Sequence, residues 1–112
     1  MEWIAVKQEG EIVYIEFWLT PATNIEPSEL RPAVEYIYNE MQRFRSVRIS
    51  KIRITGRGPV WLYAAVSHAV AHMAPIVQVF DAIQKRWITV VSHEPGHPVG
   101  SVEPHAVDSA VQ

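Results

Sequence analysis

From Lys51 to Asp81 the chain reads strand, glycine-rich turn, helix, strand, and no other stretch constrains the fold as much. Two strands joined through a helix in one sheet lie parallel and are linked by a right-handed crossover, so a sheet with at least one parallel pair is required. The junction is Ile54-Thr55-Gly56-Arg57-Gly58-Pro59-Val60-Trp61-Leu62: the end of a buried strand, two glycines around an arginine, a proline suited to a first helical turn, and a helix. Backbone N–H groups at a helix start lack intrahelical partners, and the helix dipole favours negative charge there. The junction therefore reads as an anion cradle, with glycines that let a ligand approach the backbone. The helix that follows, Val60 to Met73, carries His68 and His72 four residues apart and thus on one face.

The rest of the chain fits around this unit. Trp3 to Lys7 and Ile12 to Trp18 are β-branched and aromatic, and Gln8-Glu9-Gly10-Glu11 between them predicts a hairpin. Leu30, Val34, Ile37, Met41 and Phe44 recur at helical spacing, which predicts an amphipathic helix over 29–45 with Ser28 as N-cap and Pro32 in the first turn. The strand before the glycine turn is expected to begin near Lys51. Pro75 to Asp81 and Trp87 to His93 are further strands, joined by the short connection Ala82 to Arg86. The expected fold is a single α/β domain over residues 1–95, a mixed sheet in the order β-β-α-β-α-β-β. Residues 96–112, with Pro98 and Pro104, read as a partly mobile loop apart from a candidate short strand at Val99 to Val102.

Charge is unevenly spread. Eight of the twelve acids fall in residues 1–40, whereas Met41 to Phe80 has no acid, six Arg or Lys and two His. Arg43, Arg45, Arg48, Lys51 and Arg53 are best read as a solvated face complementing the acidic helix, while Arg57 is held by its turn. Cysteine is absent, which excludes disulfides and thiolate metal sites and fits a reducing compartment. No stretch approaches the roughly 18 apolar residues of a membrane span, so a soluble, cytoplasmic protein is expected.

Chemistry has few candidates. A His pair at this spacing can hold a metal or a phosphate, and Asp81 leaves an apolar strand where sheet ligands gather, beside Gly56 to Gly58. The plainer reading of Asp81 is a turn-starting aspartate that caps its own hairpin. His93 falls at the far end of its strand from Asp81, so the two cannot serve one site within one subunit. His97 and His105 are expected to face solvent. Gly56-Arg57-Gly58 lacks the third glycine of a dinucleotide fingerprint and the lysine of a phosphate loop.

Gly-Arg-Gly-Pro-Val-Trp-Leu-Tyr at 56–63, the His68 and His72 pair, Asp81 and Ser92-His93 together resemble the small CRISPR-associated ring nucleases of type III systems, over about residues 50–95. The resemblance implies a Rossmann-like domain that degrades cyclic tetra-adenylate to linear di-adenylate and so damps antiviral signalling. It further implies manganese support for cleavage, and homodimers that assemble into tetramers or more around the ligand. Carried over, His68, His72 and Asp81 are the catalytic and metal candidates; Gly56, Arg57, Gly58, Lys85, Arg86 and His93 are the ligand-binding ones. The family follows its aspartate with proline and arginine, whereas Ala82-Ile83-Gln84-Lys85-Arg86 stands here. Either Lys85 or Arg86 takes over the missing charge, or the chain cleaves slowly and chiefly binds. A non-catalytic cyclic-oligoadenylate sensor or sponge and a manganese-dependent exonuclease of RNA 3′ ends are the rival expectations. Neither DNA nor a membrane is expected as a partner.

Overall fold

The computed structural model describes residues 1–44 and 46–105. Strands β1 (Ile4–Glu9) and β2 (Ile12–Trp18) form the predicted hairpin, turned by Gly10 at φ 62°. Helix α1 spans Leu30–Met41, with 3-10 turns at Pro27–Glu29 and Gln42–Phe44. Then come β3 (Lys51–Arg57), α2 (Val60–Ala69), β4 (Ile76–Asp81), β5 (Arg86–Ser92) and β6 (Val102–Pro104).

The six strands lie side by side in sequence order, β2–β3 and β3–β4 parallel and the other pairs antiparallel. Both crossovers advance across the sheet in one direction, so right-handedness puts both helices on one face. There Ala33, Ile37, Met41, Leu62 and Val66 bury against Val13, Ile15, Ile52 and Ile54. The strand order never reverses, and the crevice that a reversal opens in a doubly wound fold has no counterpart here. The architecture is a mixed six-stranded sheet with two helices.

Several local expectations shift. Ser28 sits inside the first 3-10 turn; the entry to α1 is held instead by Glu29, whose carboxylate accepts the Glu26 N–H at 2.9 Å. The helix stops at Met41 because the next turn tightens to 3-10, which still buries Phe44. Helix α2 ends at Ala69, four residues early: Ala71 N–H bonds His68 O and Met73 N–H bonds Val70 O, both three residues back, so the chain has left the α-helix before His72. The tail is more ordered than its prolines suggest. Thr89 and the segment at Gly100 and Ser101 exchange backbone bonds of 2.9 Å, and β6 extends the sheet.

The cause lies on the sheet face without helices. Arg53 donates from Nε to Gln78 Oε1 (2.9 Å), from Nη1 to the Tyr14 hydroxyl (3.3 Å) and from Nη2 to Glu103 (2.7 Å), and Lys51 reaches Glu103 at 2.7 Å. Gln78 in turn donates to Thr89 Oγ1. Glu103 of β6 thus neutralises two cations that the sheet has drawn out of water. Arg53 and Lys51 are components of a partly buried network, and the reading of them as a solvated face is corrected. Arg43 and Arg48 stay at the surface, and Arg45 lies outside the described residues, as does the tail from 106 onward.

Candidate functional site

Strand register decides which candidates can meet. Ile54 pairs with Val79, so two residues further along these parallel strands Gly56 comes level with Asp81. The convergence of the glycine turn with the end of β4 therefore holds. A cavity of about 380 Å³ opens there, lined by Gly56, Arg57, Gly58, Tyr63, Phe80 and Ala82.

The glycines serve a purpose other than ligand approach. Gly56 has φ 105°, and a Cβ on it would stand 2.2 Å from Phe17 O in β2. At Gly58 a Cβ would meet Leu62 at 2.9 Å and Phe17 at 3.3 Å. Both positions must be bare so that strands and helix can close on Phe17. Tyr63 locks the turn by donating its hydroxyl to Gly56 O, and burial raises its pKa. Pro59 is the N-cap residue, one position before the helix proper. Arg57 ends β3 opposite Trp18 with its side chain exposed and free of ion pairs among the described residues, available to an anion.

Asp81 behaves as a hairpin cap. Its Oδ1 accepts the N–H groups of Ile83 (3.1 Å) and Gln84 (3.3 Å), and its Oδ2 pairs with Arg86 Nε at 3.2 Å. Slight desolvation opposes ionisation, but those two N–H groups and the guanidinium outweigh it and hold the carboxyl below its ordinary pKa. Arg86 thus stands beside the aspartate, whereas Lys85 is exposed at the turn with φ 54°.

The histidines lie elsewhere. Because α2 runs back from the glycine turn to the start of β4, its end is at the opposite edge of the sheet. His72 stacks on His93 there, ring centroids 5.1 Å apart at 28°, and His93 Nε2 lies 3.0 Å from Ala71 O. The two exposed rings border an open cleft of about 600 Å³ with Met73, Pro75 and Glu94. The length of β4, about 17 Å at 3.3 Å per residue, separates them from Asp81. His68 does not share their face either; it borders a separate apolar groove with Ala64, Ser67, Ala71, Val79 and Val90.

The expected set of His68, His72 and Asp81 around one manganese ion is therefore corrected: within one chain the three do not converge. Among the described residues no group of three or more His, Asp or Glu is placed to hold a metal ion. His93, by contrast, does lie far from Asp81 as its register required, and meets His72 instead. His105 packs against Phe80 and Trp87 (5.1 and 6.0 Å between centroids), in place of the solvent position expected for it. Sequence reasoning missed Tyr14, Gln78 and Glu103 as site-shaping residues; the alternation of polar positions along β2 and β4 signals the first two, and nothing local signals Glu103. No helix among the described residues is long and apolar enough to cross a membrane.

A family model described as CRISPR-associated protein (Cas_csx3) matches residues 21–104, from the loop before α1 through β6. No curated protein and no solved structure matches.

Proposed function

The chain belongs to the CRISPR-associated Cas_csx3 family, and from that premise we propose that it binds and cleaves cyclic tetra-adenylate to linear di-adenylate, using two half-sites from different subunits. One observation carries the two-subunit reading: the cationic edge with Arg57 and Arg86 and the stacked His72 and His93 stand at opposite ends of β4. A phosphodiester held at the first edge meets the histidines of another copy once dimers stack around the ring. Attack by a ribose 2′-hydroxyl on the neighbouring phosphorus breaks the bond to the 5′-oxygen. Histidine suits both proton transfers, because imidazole exchanges protons near neutrality. Arg57 offsets the charge that develops on phosphate. The residues do not fit a manganese site within one chain, and no step is routed through the metal.

A second reading, a non-catalytic sponge, is favoured by one specific observation: both Asp81 oxygens are already committed to the hairpin and to Arg86. Incubation of the purified chain with labelled cyclic tetra-adenylate, with and without manganese, separates the two. Linear di-adenylate is expected, with His72→Ala slowing its appearance about 100-fold or more while ring binding persists. A ring left intact by excess protein would refute cleavage and leave the sponge.

A further inference from the structure

The sheet face opposite the helices carries a second cavity, of about 300 Å³, in which Lys7, Tyr14, Glu16, Thr55, Phe80 and His105 take part. Side-chain alternation explains why these residues meet: Tyr14, Glu16 and Trp18 point to this face from β2, and Arg53, Thr55 and Arg57 stand beside them on β3. Aromatic rings wall the cavity. Tyr14 and Phe80 pack on Trp87 at 5.9 and 5.0 Å between centroids, and Phe80 on His105 at 5.1 Å. Arg53, 4.8 Å over the Trp87 ring and bonded to Tyr14, fixes the floor.

Two polar groups reach in from the side. The Glu16 carboxylate has one oxygen shielded from water, which makes no hydrogen bond, and that oxygen lies 3.1 Å from Lys7 Nζ in an ion pair. Glu16 is 21% exposed and Lys7 55%, so the acceptor sits within and the donor at the rim. An acceptor and a donor side by side complement the edge of a nucleobase that carries an amino or ring N–H beside an acceptor, and the aromatic walls favour the larger stacking face of a purine over a pyrimidine.

The next outward pair on the same face is Trp18, 58% exposed, and Arg57. One step of two residues along a strand is about 6.6 Å, the scale that separates a nucleotide's base from its phosphate. An exposed indole and a guanidinium thus stand where sugar and phosphate would emerge from the cavity.

We propose that this cavity is a purine-nucleotide pocket, the base held by Glu16 and Lys7 among the aromatic rings and the phosphate by Arg57. It rests on the ring-binding reading for the role of Arg57, and goes beyond it in assigning a base-holding pocket in which no histidine of the other edge takes part. Titration of the full chain with AMP, GMP and CMP, followed by tryptophan fluorescence, tests it. Saturable quenching is expected for a purine nucleotide, with CMP at least about fivefold weaker. AMP above GMP would assign adenine, GMP above AMP guanine, and both support the pocket. Glu16→Met removes the acceptor and Thr55→Phe fills the cavity from another strand; each is expected to weaken binding about tenfold or more. Thermal melts of both variants confirm folding. No saturable signal, CMP equal to the purines, or wild-type affinity in folded Thr55→Phe would overturn the proposal. A chain that binds AMP yet leaves the ring intact would sink only the cleavage reading.

Discussion

At the scale of single residues, backbone demands outrank chemistry at several positions that look functional. Gly56 is the clearest: with φ 105° and Phe17 O only 2.2 Å from a would-be Cβ, Gly56→Ala must push two adjacent strands apart. A loss on the order of 3 kcal/mol is expected from urea denaturation, and a loss below about 1 kcal/mol would contradict the close approach. Lys85 has the opposite problem, a branched Cα at φ 54° in an exposed turn. Lys85→Gly should stabilise by about 0.5–1 kcal/mol in the same assay. Glu103 links charge to pH. Partial desolvation opposes its ionisation, yet hydrogen bonds and Coulomb attraction from Lys51 and Arg53 lower its pKa below the ordinary 4.5. A lowered folded-state pKa adds stability above the unfolded value, and that stability is lost as pH falls through the folded value. Glu103→Gln is therefore expected to cost about 1 kcal/mol at pH 7 and progressively less below about pH 4.5, read from urea melts across pH.

At the scale of elements, the sequence was legible wherever a local pattern had only one outcome. Ile12–Trp18 alternates cleanly and forms the strand over that span; the crossover from Lys51 to Asp81 follows from glycine, proline and an apolar run. It was illegible where a partner distant in sequence decides. In the tail the local pattern suggests only a short strand at Val99 to Val102, whereas β6 forms at Val102–Pro104, because what fixes it is the hold of Arg53 and Lys51, some fifty residues earlier, on Glu103. The end of α2 was overrun for a related reason: Val70 to Met73 keeps helical apolar spacing, yet the chain must turn to feed β4 at Ile76. Truncation after Gly100 tests this account of the tail. It removes β6 and leaves Arg53 without its carboxylate, so a loss of about 2–4 kcal/mol is expected in thermal or urea unfolding. A truncated chain as stable as the whole would show that residues beyond 100 merely decorate the sheet.

At the scale of the whole molecule, the candidate site divides along the sheet in a way that motif spacing could not convey. Sequence places His68, His72 and Asp81 within fourteen positions and invites a single cluster. The helix that intervenes carries the chain back across the sheet, and β4 then returns it, so His72 and Asp81 end at opposite edges. Only the separation of His93 from Asp81 was visible, through the antiparallel register of β4 and β5; its stacking on His72 was not. Two separated half-sites make a sharp demand on assembly if the chain cleaves a cyclic oligonucleotide. A subunit lacking Arg57 still presents intact histidines, and one lacking His72 still presents an intact anion edge. Arg57→Ala and His72→Ala proteins should each be nearly inactive alone, yet regain a sizeable fraction of wild-type ring cleavage when mixed and allowed to exchange subunits. In random mixed assemblies about a quarter of the composite sites pair one intact edge with one intact histidine pair, which sets the scale of recovery. The measurement is product formed per site against the ratio of the two variants. A curve peaking at equal proportions is the expected result, whereas a flat line at the level of the single variants would mean that edge and histidines act within one chain.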